Sequence, residues 1–329
     1  MKPLNILLTG ATGFVGSAVL KRLVADSKAS VVVAVRSEKT SFTVPNFCVA
    51  DLSATTEWSE ALKNKDVVIH AAARAHIMKD EVDDPLAEYR RVNVEGTLNL
   101  AKQAVSYGVK RFIFISSIKV NGEQTCLDKA FTADDNPAPE DAYGVSKWEA
   151  EQVLLELANE TGLEVVIIRP PLVYGPNVKG NFASMIKAVG KQLPLPLGAI
   201  NNKRSLVALD NLVDLIITCI DHPAAANQVF LAGDGQDLST TELLQGVAKA
   251  MGKKSRLLPV PPLLLMLGAT VLGKKAMAQR LLGSLQVDIS KSRDLLGWEP
   301  PISVEEGLKR CSIDQSKLSD DTILKQDSH

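Results

Sequence analysis

Along the first half of the chain, short unbroken apolar runs alternate with longer stretches in which apolar residues recur every third or fourth position. The runs are Leu4–Leu8, Ser30–Val35, Phe47–Ala50, Asp66–His70, Arg111–Ile115 and Val165–Arg169. Runs this short, without polar alternation, predict strands covered on both faces, as in a parallel sheet. The periodic stretches predict helices, the first beginning at Phe14 and the others over 56–62, 84–107 and 143–161. Strand then helix, repeated, predicts an α/β fold with a doubly wound parallel sheet. After Val166 the pattern loosens. Pro170, Pro171, Gly175, Pro176, Gly180, Pro194, Pro196 and Gly198 crowd a region where loops are expected. Leu257–Gly273 is the most apolar stretch, and its prolines and length argue against a membrane-spanning helix. A buried or partly exposed packing helix is the expectation there. Peripheral contact with a membrane surface is the less favoured reading, suggested by Lys274 and Lys275.

Composition narrows the class. At 329 residues with 46% hydrophobic positions, the chain is long enough for one large or two ordinary domains. A net charge of −1 gives no reason to expect a nucleic-acid partner. Cys48, Cys126, Cys219 and Cys311 have neither metal-like nor paired spacing, so free thiols in a reducing cytoplasm are expected, with no metal site. Met1-Lys2-Pro3 leads directly into the first strand, without the pattern of a signal peptide, which also predicts a cytoplasmic protein.

The chemistry starts where the first strand breaks. Gly10, Gly13 and Gly16 follow the Leu4–Leu8 run and open the first helix. Gly10 suits a tight turn, Gly13 leaves room for a pyrophosphate, and Gly16 allows close packing of the helix. The helix N-terminus then faces the phosphates with free N–H groups, which identifies a Rossmann-type dinucleotide site, although one residue more separates the first two glycines than in G-x-G-x-x-G. At the end of the second strand stands Arg36, where an NAD site commonly carries a carboxylate for the ribose 2′-hydroxyl. An arginine there suits the 2′-phosphate of NADP, so NADP is the expected cofactor, with NAD the other option. Small residues Ala71, Ala72 and Ala73 follow the fourth strand and would let backbone lie against a cofactor. Ser116 and Ser117 end the fifth strand. Tyr143 and Lys147, four apart on a helix, can face one ligand.

Taken together, Gly10-x-x-Gly13-x-x-Gly16, Asp51-Leu52, His70-Ala71-Ala72-Ala73, Asn93-Val94-Glu95-Gly96-Thr97, Ser116-Ser117 and Tyr143-x-x-x-Lys147 resemble the extended short-chain dehydrogenase/reductases. More narrowly, the chain is similar to their nucleotide-sugar branch, which includes UDP-galactose 4-epimerases and NDP-sugar 4-ketoreductases. The resemblance extends through Arg169-Pro170-Pro171-Leu172-Val173-Tyr174-Gly175-Pro176 and Arg204-Ser205-Leu206-Val207 to Asp288 and Trp298. It implies a discontinuous layout, with a Rossmann domain over 1–168 plus about 206–231, a UDP-sugar domain over about 169–205 and 232–310, and a polar tail at 311–329.

The resemblance also implies roles. Tyr143 is the acid/base, Lys147 supports it and holds the nicotinamide ribose, and Ser117 binds the reacting sugar oxygen. Thr12, Phe14, Val15, Asp51, Leu52, Asn93, Ser116 and Pro170 join the glycines, Arg36 and the alanines around the cofactor. Asn181, Arg204 and a displaced candidate, Arg280, address the sugar nucleotide. Relatives pair as homodimers through two helices, here 84–107 and 143–161, with Val153, Leu154, Leu157 and Ala158 as the apolar seam.

Three functions compete. Because of Arg36, the favoured one is NADPH-dependent reduction of the C4 ketone of a UDP-4-keto-6-deoxy-hexose or hexosamine, in surface polysaccharide synthesis. The alternative is a UDP-hexose 4-epimerase, and the remote one a non-catalytic NADP sensor. Ile118-Lys119 after Ser117 argue against a 4,6-dehydratase, which needs an acidic pair there.

Overall fold

The computed structural model describes residues 3–26, 29–37, 41–75, 84–126, 129–312 and 324–325. The six apolar runs and one further strand, Gln228–Leu231, form a seven-stranded parallel sheet: β1 (Leu4–Thr9), β2 (Ala29–Val35), β3 (Asn46–Cys48), β4 (Val67–His70), β5 (Arg111–Ile115), β6 (Glu164–Arg169) and β7 (Gln228–Leu231). Its order is β7-β6-β5-β4-β1-β2-β3. Ile6 of β1 lies opposite Val31 of β2 on one side and Val67 of β4 on the other. The strand order reverses between β1 and β4, and in such sheets ligands sit at the carboxyl ends beside that reversal.

Helices cover both faces, which is why the strands are apolar without alternation. Helices Phe14–Ala25 and Leu209–Thr218 bury Val19, Leu20, Leu212 and Ile216 against one face. Helices Gly96–Ser106 and Ala142–Thr161 bury Leu100, Ala101, Leu154 and Leu157 against the other. Each such side chain contributes about 1.5–3 kcal/mol on burial. The seam expected to join two copies therefore needs correction. Leu154, Leu157 and Ala158 are buried in the chain's own core and Val153 is half-buried, because the same helical face cannot serve both the sheet and a partner.

Two predicted helices differ in detail. The one expected over 56–62 is reduced to Ser59–Leu62. Ahead of it, Gln103 and Asn99 side chains donate to the Thr56 carbonyl and Gln103 accepts the Trp58 N–H, so this backbone is tied to the neighbouring helix instead. The helix expected over 84–107 contains a π turn, Arg91–Glu95, between Pro85–Arg90 and Gly96–Ser106.

Past β6, Leu172–Tyr174, Arg204–Ala208 and Asp237–Leu238 make a three-stranded sheet. Helices Gly180–Gly190, Thr240–Ala250 and Val304–Ser312 surround a second core of Tyr174, Phe182, Leu244 and Leu308. The apolar stretch Leu257–Gly273 forms helix Pro262–Val271, which buries none of its residues and is thus the partly exposed form of the expected helix. Among the described residues no helix is long and apolar enough to cross a membrane. Of the tail, Leu324–Lys325 pairs antiparallel with Ser41–Phe42, and nearly all the rest lies outside the described residues.

Candidate functional site

The glycine turn is dictated by contact as much as by dihedral angle. Gly10 has φ +74°, and a Cβ there would stand 2.6 Å from the Ala71 carbonyl carbon and the Ala72 nitrogen. Gly16 is more constrained, since its Cβ would lie 2.1 Å from the Gly10 oxygen. The turn is closed by the Gly13 N–H donating to the Gly10 carbonyl at 2.8 Å. Gly13 is also the N-cap of helix Phe14–Ala25 and offers no capping side chain, and no acid lies in the first turn. A twelve-residue helix thus presents bare N–H groups and its positive end at the sheet's switch point, with Thr12 exposed and Phe14 and Val15 half-buried beside it. A dinucleotide pyrophosphate fits this cradle: no side chain occupies it, and none can be added at Gly10 or Gly16 without a clash.

At the end of β2, Arg36 is exposed, close enough to Asp51 for its charge to help hold that carboxyl below its usual range. The larger cause is Arg91, whose Nη1 donates to Asp51 Oδ2 at 2.6 Å. Asp51 also accepts the Leu52 N–H, at 2.7 Å. Beyond β4, the Ala72 N–H donates to the Thr9 hydroxyl at 3.2 Å, locking the alanine segment to the glycine turn. His70 is buried between the Thr9 and Thr97 hydroxyls, at 2.7 and 3.0 Å, and burial, then the Lys147 charge, pulls its pKa down to about 3. The π turn places Asn93 inward. Its amide holds the Arg74 backbone at both N–H (2.8 Å) and carbonyl (3.1 Å) and donates to Ser146 Oγ at 3.0 Å.

Lys147 reaches the carboxyl end of β5, which Ser117 follows by two residues, and Tyr143 lies one helical turn before Lys147. Ser117 caps a 3₁₀ turn, Ile118–Val120, its hydroxyl accepting from the Lys119 N–H at 3.3 Å, while the Pro170 carbonyl takes the Ile118 N–H at 3.0 Å. Lys147 is buried. Its Nζ donates to the Ile115 carbonyl at 2.6 Å and lies 3.8 Å above the Phe114 ring, and burial lowers its pKa to about 7. Tyr143, one helical turn earlier, meets the Tyr89 ring edge-on at 6.0 Å. Burial raises its phenol, with Asp141 and Tyr89 adding to the shift.

The expected sugar-nucleotide residues are held differently. Asn181 is exposed in the first turn of helix Gly180–Gly190. Arg204 donates to the carbonyls of Arg280 (2.8 Å) and Gly283 (3.1 Å), and burial lowers its pKa. Arg280, exposed on helix Lys275–Leu282, is 4.0 Å from Glu123. The structure therefore brings Arg204 and Arg280 together, while Asn181 comes from a separate helix.

Two bracing groups escaped the sequence reading. Lys119 bridges Glu123 (2.6 Å) and Asp141, and Asp141 caps the Tyr143 helix by accepting the Gly144 N–H at 2.7 Å. Gly144 is needed because a Cβ there would stand 2.9 Å from the Lys119 oxygen. Deeper, Glu151 pairs with Arg169 at 2.5 Å and accepts from Ser116 Oγ, and Arg169 Nη1 reaches Asn121 at 3.0 Å. The Ser116 hydroxyl is thus committed inward. A signal was available: Glu151 lies four residues beyond Lys147 on the same buried helical face.

A glycine-turn dinucleotide fold with serine, tyrosine and lysine at one strand end defines the extended short-chain dehydrogenase/reductase class, in its nucleotide-sugar branch. Within it, the chain belongs to the NAD dependent epimerase/dehydratase family, which matches residues 6–233. It is 54% identical, over 94% of its length and 95% of the relative's, to a UDP-glucose 4-epimerase of Vibrio cholerae. It is 30% identical, over 93% of each chain, to the N-acetyl-alpha-D-glucosaminyl-diphospho-ditrans,octacis-undecaprenol 4-epimerase of Escherichia coli O157:H7. Among solved structures, MoeE5 in complex with UDP-glucose and NAD superposes with a TM-score of 0.75 at 25% identity, covering 96% of this chain and 99% of that one.

Proposed function

We propose that the protein is an NAD-dependent UDP-sugar 4-epimerase. The carrying observation is the 54% identity, across nearly the whole chain, to a UDP-glucose 4-epimerase. The reading thus moves from the ketoreductase favoured by Arg36 to its alternative. Exposure supports the move: Arg36 is solvated at the end of β2, so this one arginine selects a 2′-phosphate only weakly. The reading keeps the division into a cofactor lobe, 1–168 with about 206–231, and a sugar lobe from about 169–205 and 232–310.

Gly10, Gly13, Gly16 and the N-terminus of the first helix would hold the pyrophosphate, with Ala71–Ala73 and Lys147 along the nucleoside and nicotinamide. The bound cofactor supplies hydride acceptance from sugar C4 and its return to the opposite face. Tyr143 takes the C4 hydroxyl proton as the C–H bond breaks and gives it back when hydride returns. Ser117 accepts from the Lys119 N–H, which leaves its own proton free to donate to the C4 oxygen. In the bare chain, burial favours neutral Tyr143 and lowers Lys147. A cation beside Tyr143 is what draws its phenol back toward ionisation, and Lys147 is the nearest residue on its helix face able to supply one. Arg204 and Arg280 supply forked donors for a diphosphate.

Incubating the purified protein with UDP-glucose or UDP-GlcNAc and following the anomeric protons by NMR is the test. Conversion to the 4-epimer without net consumption of nicotinamide supports the reading. Stoichiometric NADPH oxidation with a UDP-4-keto-6-deoxy-hexosamine, and no epimer, overturns it in favour of the reductase.

A further inference from the structure

Among the described residues, helix Pro262–Val271 combines apolarity with exposure in a way no other helix does. Leu263, Leu264, Leu267 and Val271 are 71%, 58%, 56% and 87% exposed, and Leu272 is 73% exposed just past the helix end. Leu265, Met266 and Ala269 face the body only partly buried. The patch continues on neighbouring chain: Leu258, 52% exposed, donates its N–H to the Leu195 carbonyl at 2.8 Å, and Leu193, two residues before Leu195, is also exposed. Contiguous apolar surface of this kind marks an interaction site.

The charge around the patch indicates the partner. Between Glu242 and Asp288 the sequence contains no Asp or Glu but carries seven Lys and Arg, whereas the whole chain is at −1. Lys249 and Arg280 pair with Glu305 and Glu123 from elsewhere, and Lys253, Lys254, Arg256, Lys274 and Lys275 give the patch its charge. Lys253, Lys254 and Arg256 are exposed ahead of the helix, and Lys274 and Lys275 are exposed directly after it. A second copy of the same face would oppose cation to cation, which disfavours self-association through it. An apolar helix flanked by lysines and arginines is instead complementary to a bilayer whose headgroups are anionic. Ten residues rise about 15 Å, too short to span a bilayer but long enough to lie in its interface.

We infer that the protein docks on anionic membrane surfaces through the leucine face of Pro262–Val271 and its flanking basic residues. The helix that follows, Lys275–Leu282, carries Arg280, whose carbonyl accepts from Arg204. Docking therefore sets the sugar-nucleotide end of the site beside the lipid surface. This inference stands independently of which sugar reaction the site performs.

The test is flotation of the full-length protein with phosphatidylcholine vesicles containing phosphatidylglycerol, against phosphatidylcholine alone. The protein should float with the anionic vesicles and release as salt is raised. Because Leu263 and Leu267 are exposed, L263D/L267D should keep the melting temperature while needing at least about tenfold more lipid for half-binding. K274E/K275E should weaken binding by about fivefold per lysine at low salt. Absence of flotation at millimolar anionic lipid overturns the inference, as does equal binding by a folded L263D/L267D. A fall in solution mass on that double substitution, with no vesicle binding in either form, assigns the face to a second copy instead.

Discussion

The cofactor end and the sugar-nucleotide end of the site are built in different ways. At the cofactor end, the buried candidates are held by the packed chain: Gly10 and Gly16 by backbone contacts that leave no room for a Cβ, Ala72 by Thr9, Asn93 by Arg74 and Ser146, and Lys147 by the β5 carbonyl. At the other end, Arg204 and Arg280 sit where a three-stranded sheet meets helix Lys275–Leu282, and Asn181 is exposed. The first end is preorganised before any ligand arrives. The second draws Arg204 from the start of a strand and the exposed Arg280 and Asn181 from two helices, and exposed groups of this kind suit a surface that must admit and release a bulky substrate.

Substitutions can break this contrast in graded steps. The largest effect is expected from Tyr143→Phe, which removes only a hydroxyl and should lower turnover by about 10²–10⁴-fold while bound NAD and the melting temperature stay near wild type. Turnover within a few fold of wild type would remove Tyr143 from the chemistry. Next, Glu151→Gln leaves Arg169 buried without its partner and should destabilise the fold by about 3–5 kcal/mol, read by urea unfolding. On the open side, Arg204→Gln should instead raise the substrate KM by roughly ten- to a hundred-fold, the value of one or two charge-assisted hydrogen bonds, with a smaller change in unfolding midpoint. If Arg204→Gln unfolds the protein as readily as Glu151→Gln does, the contrast between the two ends fails.

A smaller effect, taken per pH unit, is expected from His70. Its pKa is about 3 in the fold against about 6.5 in an unfolded chain, so below pH 6.5 the unfolded chain binds a proton that the folded one refuses. Stability should fall as pH drops from about 6.5 toward 3, by at most about 1.4 kcal/mol per pH unit from this group, and His70→Asn should flatten that limb of a denaturation series. An unchanged acid limb would mean that His70 is charged in the folded protein.

The candidate residues were legible where chemistry depends on short spacing. Three glycines after an apolar run, or a tyrosine and a lysine one helical turn apart, must lie together in any fold that makes the local element, and the structure places them so. The π turn was not legible, because the 84–107 pattern is equally compatible with an unbroken helix and the extra residue per turn is recovered only through Asn93's contacts with Arg74 and Ser146. Nor could the sequence tell which side of helix Ala142–Thr161 meets the sheet. Its leucines suited a dimer seam until packing assigned them to the core.

What the sequence determined by itself was the alternation of strands and helices, the glycine turn and the spacing of Tyr143 and Lys147 on one helix face, since these follow from local periodicity and backbone sterics; that Ser117 joins them was implied by the family resemblance. Tertiary structure alone decided the partners of buried charge, such as Glu151 with Arg169 and Lys119 with Asp141, which lie 18 and 22 residues apart. It also decided that Pro262–Val271 faces outward. Apolar composition records a preference for leaving water, and only the packed chain shows whether its own core or an outside surface satisfies that preference.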